Sequence, residues 1–203
     1  MDTTAAIALT VAFVMLTWRK GQQLLKDARA HLRVPMAEFL ERLKANPPIR
    51  VPGMAIVLAS SVKGAPRSLL HHLRHNRVLH ERVVIVSLVV VDSPRVEDEN
   101  RLKLTPVGEG IERLIVHIGF MDKPNVPEAI RLAVEQGLLP DIDPDDVTYF
   151  VGRQTVIPTE SRPGMALWRE VLFATLNRNA ELSADYFCIP AAQTIEIGIP
   201  IEI

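Results

Sequence analysis

The chain has 203 residues, 48% hydrophobic and 23% charged, the balance of a folded domain with a core, and this excludes wholesale disorder. Lys and Arg number 23 against 24 Asp and Glu, a formal charge of −1, so no basic field draws in nucleic acid and no such partner is expected; aromatics at 5% also disfavour a base-stacking surface. A single cysteine, Cys188, excludes an internal disulfide framework and a cysteine-based zinc ribbon.

The first element is unusual. Residues 3–18 carry no charge and are mostly aliphatic; as a helix they span roughly 24 Å, short of the roughly 30 Å hydrocarbon layer. A signal peptide would need a basic start, but Asp2 follows Met1, and a small-residue cleavage site, but Trp18-Arg19-Lys20 follows. A buried core helix would show a polar stripe, and none is present. A membrane helix over 3–18 is the expectation, with Trp18 at the interface. From Arg19 to Arg33 five basic residues face one acid, Asp27, which predicts a cytoplasmic side for the remainder of the chain.

A helical linker is expected over 19–46: Leu24, Leu25, Ala28 and Leu32 form one stripe, Val34-Pro35 interrupts it, and Met36, Phe39, Leu40 and Leu43 form a second. Asn46-Pro47-Pro48 then leads into a compact domain over 50–203. There Met54–Ala59 and the nearly continuous Arg82–Val91 run predict strands, the second buried on both faces. Arg101–Thr105 and Glu112–Gly119 alternate as strands with one wetter face. Helices are expected from Pro66, with Leu69, Leu70 and Leu73 inward, and from Val126-Pro127, with Ala129, Ile130, Ala133 and Val134 inward. Val147–Gly152 and Gln154–Ile157 read as two short strands. The longest helix of the domain is placed from Met165 to about Leu182, with Trp168, Val171, Leu172, Thr175 and Leu176 as its core stripe. Tyr186–Ile189 and Thr194–Ile203 complete a mixed α/β sheet with flanking helices.

Most chemical motifs fail on spacing. Gly108-Glu109-Gly110 is followed by Arg113 where a dinucleotide fingerprint needs a small residue. Asp141, Asp143, Asp145 and Asp146 put an acid where a calcium loop needs glycine, and read as a solvated turn. Cys188, in Tyr186-Phe187-Cys188-Ile189, reads as a packed thiol. His71 and His75 fall one turn apart on a helix, with His80 beyond its end; a divalent metal would need a third ligand, and Arg74, Arg77 and Arg82 oppose a cation. Capping or polar contacts around Asn76 are the reading of these imidazoles, and no metal or cofactor is expected. Ser60, Ser61, Lys63 and Gly64 come after the first strand and form a possible ligand loop, with backbone donors and a cation for a phosphate.

The histidine region is part of a wider pattern. Pro66-Arg67-Ser68-Leu69-Leu70-His71-His72-Leu73-Arg74-His75-Asn76-Arg77-Val78-Leu79-His80-Glu81 resembles a signature stretch in the C-terminal region of the KUP-type bacterial potassium-uptake transporters. Other phrases stand in that family's order: Arg50-Val51-Pro52-Gly53, Gly119-Phe120-Met121-Asp122, Pro124-Asn125-Val126-Pro127, Tyr149-Phe150-Val151-Gly152-Arg153-Gln154-Thr155, Trp168-Arg169-Glu170-Val171-Leu172-Phe173 and Arg178-Asn179-Ala180. Gln154 stands where the family usually has an acid, which removes a possible partner for Arg153.

The resemblance implies the C-terminal portion of a proton-coupled potassium-uptake transporter of the cell (inner) membrane. Residues 3–18 would then be the end of its last membrane helix, and everything after about residue 19 would be cytoplasmic. K+ and H+ would be the ions carried by the parent, with no site for either in this chain. The rest of the helix bundle and a second copy in a homodimer are the implied partners, and the soluble domain would serve regulation or dimerisation. His71, His75, Asn76, His80, Gly152, Arg153, Trp168 and Asn179 would be structural signature positions, and no enzyme activity is expected. Two alternatives stand beside this: a nucleotide-sensing module built on the Ser60–Gly64 loop, and a membrane-anchored α/β hydrolase-like enzyme using Ser60 or His80 with Asp92.

Overall fold

The structure is a computed structural model that describes residues 3–140, 142–159, 165–180 and 184–202. In chain order the elements are α1 (Thr3–His31), α2 (Met36–Ala45), β1 (Ile49–Leu58), α3 (Arg67–Asn76), β2 (Val78–Val91), α4 (Asp98–Arg101), β3 (Leu102–Gly108), β4 (Ile111–Gly119), α5 (Val126–Glu135), β5 (Val147–Ile157), α6 (Leu167–Ala180) and β6 (Thr194–Glu202). Six strands form one mixed sheet in the order β3-β4-β2-β1-β5-β6. The β4, β2, β1 and β5 strands run parallel, and β3 returns antiparallel beside β4.

The chain divides into two compact units. The larger comprises Val34–Arg153 and Leu182–Ile197. Its sheet separates two apolar layers. Side chains on one face, including Ile56, Val84, Val86, Leu114, Val116 and Tyr149, pack with Val126, Ala129, Ile130 and Ala133 of α5. Those on the other, including Ala55, Val57, Val83, Ile85, Ile111 and Phe150, pack with Phe39 and Leu43 of α2 and Leu69 of α3. The Val83–Val86 run is fully buried because successive side chains point to opposite, equally covered faces. Each such side chain contributes roughly 1.5–3 kcal/mol of burial. The crossover β1-α3-β2 steps one way across the sheet and β4-α5-β5 steps the other way. A single right-handed rule therefore puts α3 and α5 on opposite faces.

Local chemistry sets the boundaries. Asn125 caps α5 by accepting from the Glu128 amide at 3.1 Å, with Pro127 in the first turn. α3 ends at Arg77, whose backbone is left-handed (φ 55°) and whose N–H returns to Leu73 O. Gly108-Glu109-Gly110 is the β3–β4 hairpin turn, all three residues at positive φ. A side chain on Gly110 would meet Glu81 O at 2.7 Å.

The smaller unit comprises Met1–Arg33, Gln154–Glu181 and Gly198–Ile203. Its core joins Leu25 and Ala28 of α1, Val156 of β5, Phe173 and Ala174 of α6 and Ile201 of β6. α1 meets α6 closely at Gly21, where a Cβ would lie 2.2 Å from the Phe173 ring.

Residues 3–18 are helical, as expected; that they span a membrane is not shown, since among the described residues no helix is long and apolar enough to cross one. The uncharged part is sixteen residues where about 20 are needed, and the helix continues through Arg19, Lys20, Lys26 and Asp27. Other expectations are corrected. The two short strands at 147–157 are one strand, β5, in which Gly152 sits without interruption. The core face of α6 carries Glu170, Phe173 and Ala174, whereas Trp168, Val171 and Thr175 are exposed. Tyr186–Ile189 is not a strand: Ala184–Phe187 is a 3-10 turn. Ile189 is buried and Cys188 is exposed, so the packed-thiol reading fails: it rests on apolar sequence neighbours, whereas the chain turns at Cys188 (φ 55°) and leaves the thiol outside.

Candidate functional site

The Ser60–Gly64 loop lies after β1 at the C-terminal edge of the parallel strands, where open α/β sheets place ligands. Here the loop's carbonyls are already engaged. Arg113, 7% exposed, projects from β4 and donates to Gly64 O at 2.8 Å, to Ser61 O at 3.4 Å and to Val62 O. Ser61 O also accepts from Ser87 Oγ at 3.3 Å. Within the loop the Lys63 amide donates to Ser61 Oγ at 3.2 Å, and Ala65 N–H donates to Val34 O. The loop is thus an acceptor shell around an internal cation, and burial lowers the Arg113 pKa from its ordinary value. The sequence pattern does not single out Arg113 for this role. The available signal is an arginine placed between Ile111 and Ile115 on one face of β4.

The histidines form two pairs. His71 and His75 lie side by side on α3, ring centroids 4.5 Å apart. His72 and His80 both set their rings edge-on to Phe150, at 4.8 and 5.7 Å. Asn76 Nδ2 lies 2.9 Å from His72 Nδ1. Burial holds both His72 and His80 below the ordinary imidazole range, and His72 is depressed further by the charge of His80. His80 O accepts from Arg50 Nη1 at 3.0 Å, while Arg50 Nη2 donates to Glu109 O at 2.7 Å. Arg50 thereby ties β1 to the start of β2 and to the hairpin turn. Among the described residues no group of three or more His, Cys, Asp or Glu side chains could hold a metal ion.

The phrase Gly119-Phe120-Met121-Asp122 closes the end of β4. Asp122 Oδ2 accepts from Gly119 N at 2.9 Å and Val96 N at 3.3 Å. The Gly119 amide is the main reason its carboxyl stays below the usual range. Beside it lies an open hollow of about 470 Å³ lined by Ser93, Arg95, Glu97, Asn100 and His117. Gly152 and Arg153 lie on β5, where Arg153 pairs with Glu196 at 3.7 Å. Gln154 instead accepts from Arg29 Nε at 2.8 Å, so its side chain answers a different cation. Asn179 belongs to α6; its side chain lies outside the described residues.

In the smaller unit, Trp168 stacks on Phe13, centroids 5.4 Å apart and planes within 11°. Arg169 lies over the Phe13 ring at 5.5 Å and donates to Thr17 Oγ1 at 3.2 Å. Trp18 meets Phe173 at 5.4 Å. Helical periodicity places Trp168 in the core; its actual partner, Phe13, lies more than 150 positions earlier and gives no local signal.

The arrangement does not assemble Ser60, His80 and Asp92 as the hydrolase-like alternative requires. β1 and β2 are parallel with Val51 opposite His80 and Leu58 opposite Val86. His80 therefore sits at the start of β2, and Asp92 lies past its end, about 40 Å away along the strand at 3.3 Å per residue. Ser60, past the end of β1, is about 25 Å from His80 by the same rise. An imidazole, a hydroxyl and an acid that must share hydrogen bonds cannot do so at that spacing.

Comparison with known proteins gives a consistent picture. Residues 52–203 match the family model described as the K+ potassium transporter C-terminal domain. The chain is 47% identical to the probable potassium transport system protein Kup 3 of Bradyrhizobium diazoefficiens, over 97% of this chain and 32% of that protein. It is 43% identical to the probable Kup 1 protein of Geobacter sulfurreducens, over 98% of this chain and 31% of the relative. The probable Kup protein of Pseudomonas aeruginosa (strain LESB58) shares 42%, over 97% and 31%. The chain therefore spans about a third of the length of these curated relatives. No solved structure matches it.

Proposed function

We propose that this chain, which belongs to the K+ potassium transporter C-terminal domain family, is the C-terminal portion of a proton-coupled potassium-uptake transporter. The match of residues 52–203 to that family, with Kup relatives aligned over 97–98% of the chain, carries the reading. Potassium is the cargo of the parent molecule, and its path lies on parts of the parent other than this chain. One short apolar helix cannot line a polar route through a bilayer, which takes several helices. Residues 3–18 lie within the membrane, 19–46 form a juxtamembrane linker, and 50–203 form a cytoplasmic domain beneath the inner membrane. Residues Ile7, Leu9, Val11, Met15 and Leu16 support the first assignment, because each is more than half exposed in the chain on its own. The domain serves regulation or dimerisation of the transporter rather than catalysis. The rigid clamps by Arg113 and Arg50 suit a body that transmits displacement rather than a cleft that binds and turns over a substrate.

The test is complementation. This chain is expressed alone, or in place of the corresponding last third of the Bradyrhizobium relative, in a host lacking potassium uptake. The chimera is expected to restore growth and rubidium uptake at limiting potassium, and the chain alone to restore neither. Rescue by the chain alone, or failure of a chimera shown to reach the membrane, would contradict the reading.

A further inference from the structure

We propose that the outward face of α6 lies in the headgroup layer of a lipid bilayer, level with the end of the uncharged stretch of α1. The inference rests on the membrane reading of residues 3–18 and extends it to a helix that no sequence pattern marks as membrane-associated. Three observations within the smaller unit carry it.

First, the exposed large side chains at positions 7, 9, 11, 15 and 16 spread over about 200° of α1 at 100° per residue, and the sector they leave, with Phe13 and Thr17, is the one α6 covers. An apolar arc that wide exceeds the stripe of an ordinary surface helix and suits lipid. Second, α6 docks at one particular level of α1. Trp168 stacks on Phe13, Arg169 bonds Thr17, and Phe173 meets Trp18 and Gly21. This is the boundary between the uncharged turns and the basic turns that begin with Arg19 and Lys20. Third, the docked helix keeps apolar side chains outward: Leu167 is 43% exposed, Trp168 60% and Val171 51%. Its one acid in the first turn, Glu170, is turned inward at 1%. Outward tryptophan and aliphatics, cations at the same level and a sequestered carboxylate match an anionic lipid surface. Trp prefers that depth, and Arg and Lys meet lipid phosphates there. A protein partner gains nothing specific from placing both tryptophans within about two turns of α1, Trp168 beside Phe13 and Trp18 itself; a bilayer interface does.

The two tryptophans also make the test. The full chain is reconstituted into vesicles of three parts phosphatidylcholine to one part phosphatidylglycerol, with bromine carried either near the headgroup end or near the middle of the acyl chains. Single-tryptophan variants Trp18→Phe and Trp168→Phe report Trp168 and Trp18 separately. Trp168 is expected to be quenched about twofold by the shallow bromines, less by the deep ones, and to be shielded from aqueous iodide. Quenching of Trp18 with Trp168 open to iodide would overturn the inference while leaving the membrane reading of α1 intact. Absence of lipid quenching at both would overturn both. A nitroxide at Val171→Cys in a Cys188→Ser background gives a second measure independent of either tryptophan substitution. Greater collision with oxygen than with an aqueous nickel chelate supports the placement; the reverse, or low collision with both as under a protein surface, refutes it.

Discussion

Replacing Arg113 by methionine isolates what this buried cation does. The substitution keeps most of the stem volume and removes every donor. The guanidinium binds Gly64 O at 2.8 Å and Val62 O, with a longer contact to Ser61 O at 3.4 Å. Ser61 O retains Ser87 Oγ as a partner, so the loss concentrates on two carbonyls. A hydrogen bond to a charged group contributes about 1.5–3 kcal/mol net, which gives about 3–6 kcal/mol for two. Val62 is exposed and Gly64 half-buried, so water reaches the freed carbonyls and returns part of this. Relief of the cation's desolvation offsets a further part. The expected loss for Arg113→Met is about 2–3 kcal/mol. Guanidinium or urea titration should show a lower midpoint at unchanged slope. Hydrogen exchange should show faster exchange of the Ala65 amide, whose bond to Val34 O depends on the loop's position. Arg113→Lys should recover only part of the loss, because one ammonium cannot span carbonyls on three residues. A methionine variant within about 0.5 kcal/mol of the parent, with unchanged loop exchange, would refute the claim that Arg113 organises this loop.

Two other substitutions test the same kind of geometry. Gly119→Ala brings a Cβ to 2.4 Å from Pro94 O and 2.6 Å from Arg95 Cα. Because both are backbone atoms, the 93–97 segment must shift, and the variant is expected to lose about 1–3 kcal/mol in a denaturant titration; full retention would refute that contact. For His72 and His80 the neutral ring is favoured in the fold, so the unfolded chain takes up protons first as pH falls past about 6.5. Their combined effect is absent above that value and destabilising below it. The unfolding midpoint should therefore fall between about pH 7.5 and pH 5 more steeply in the parent than in His72→Gln. A parent that becomes more stable over that interval would reverse the assigned sign.

The parts of this fold legible in the sequence are those with one unambiguous period. The valine-rich run forms β2, and the stripe of Ala129, Ile130 and Ala133 forms the buried face of α5. The phase of α6 is not legible, because apolar residues lie on more than one of its faces. Leu172 and Trp168 compete with Phe173 and Ala174, and only α1, distant in sequence, decides which side is buried. The phrase at Gly152-Arg153 reads as a break between strands, yet β5 runs through the glycine as one strand. The candidate site is legible as a set of positions but not as a geometry. Ser60–Gly64 reads as a donor loop because local sequence exposes its amides to inference. The carbonyls that face Arg113 are a property of tertiary packing across 49–52 positions. Likewise, His72 rather than His71 makes the contact with Phe150, since which imidazole turns inward depends on where β5 lies.

Cys188 offers the most direct test of the membrane assignment, because it is the sole cysteine and its side chain is exposed. With the chain expressed in a bacterial host, a membrane-impermeant maleimide is added to right-side-out and to inside-out membrane vesicles. Membrane-bound protein is expected to be labelled at Cys188 only in the inside-out preparation, with Cys188→Ser abolishing the signal. Labelling in right-side-out vesicles, or recovery of the chain free of the membrane fraction, would contradict a cytoplasmic domain hung from a membrane-embedded helix.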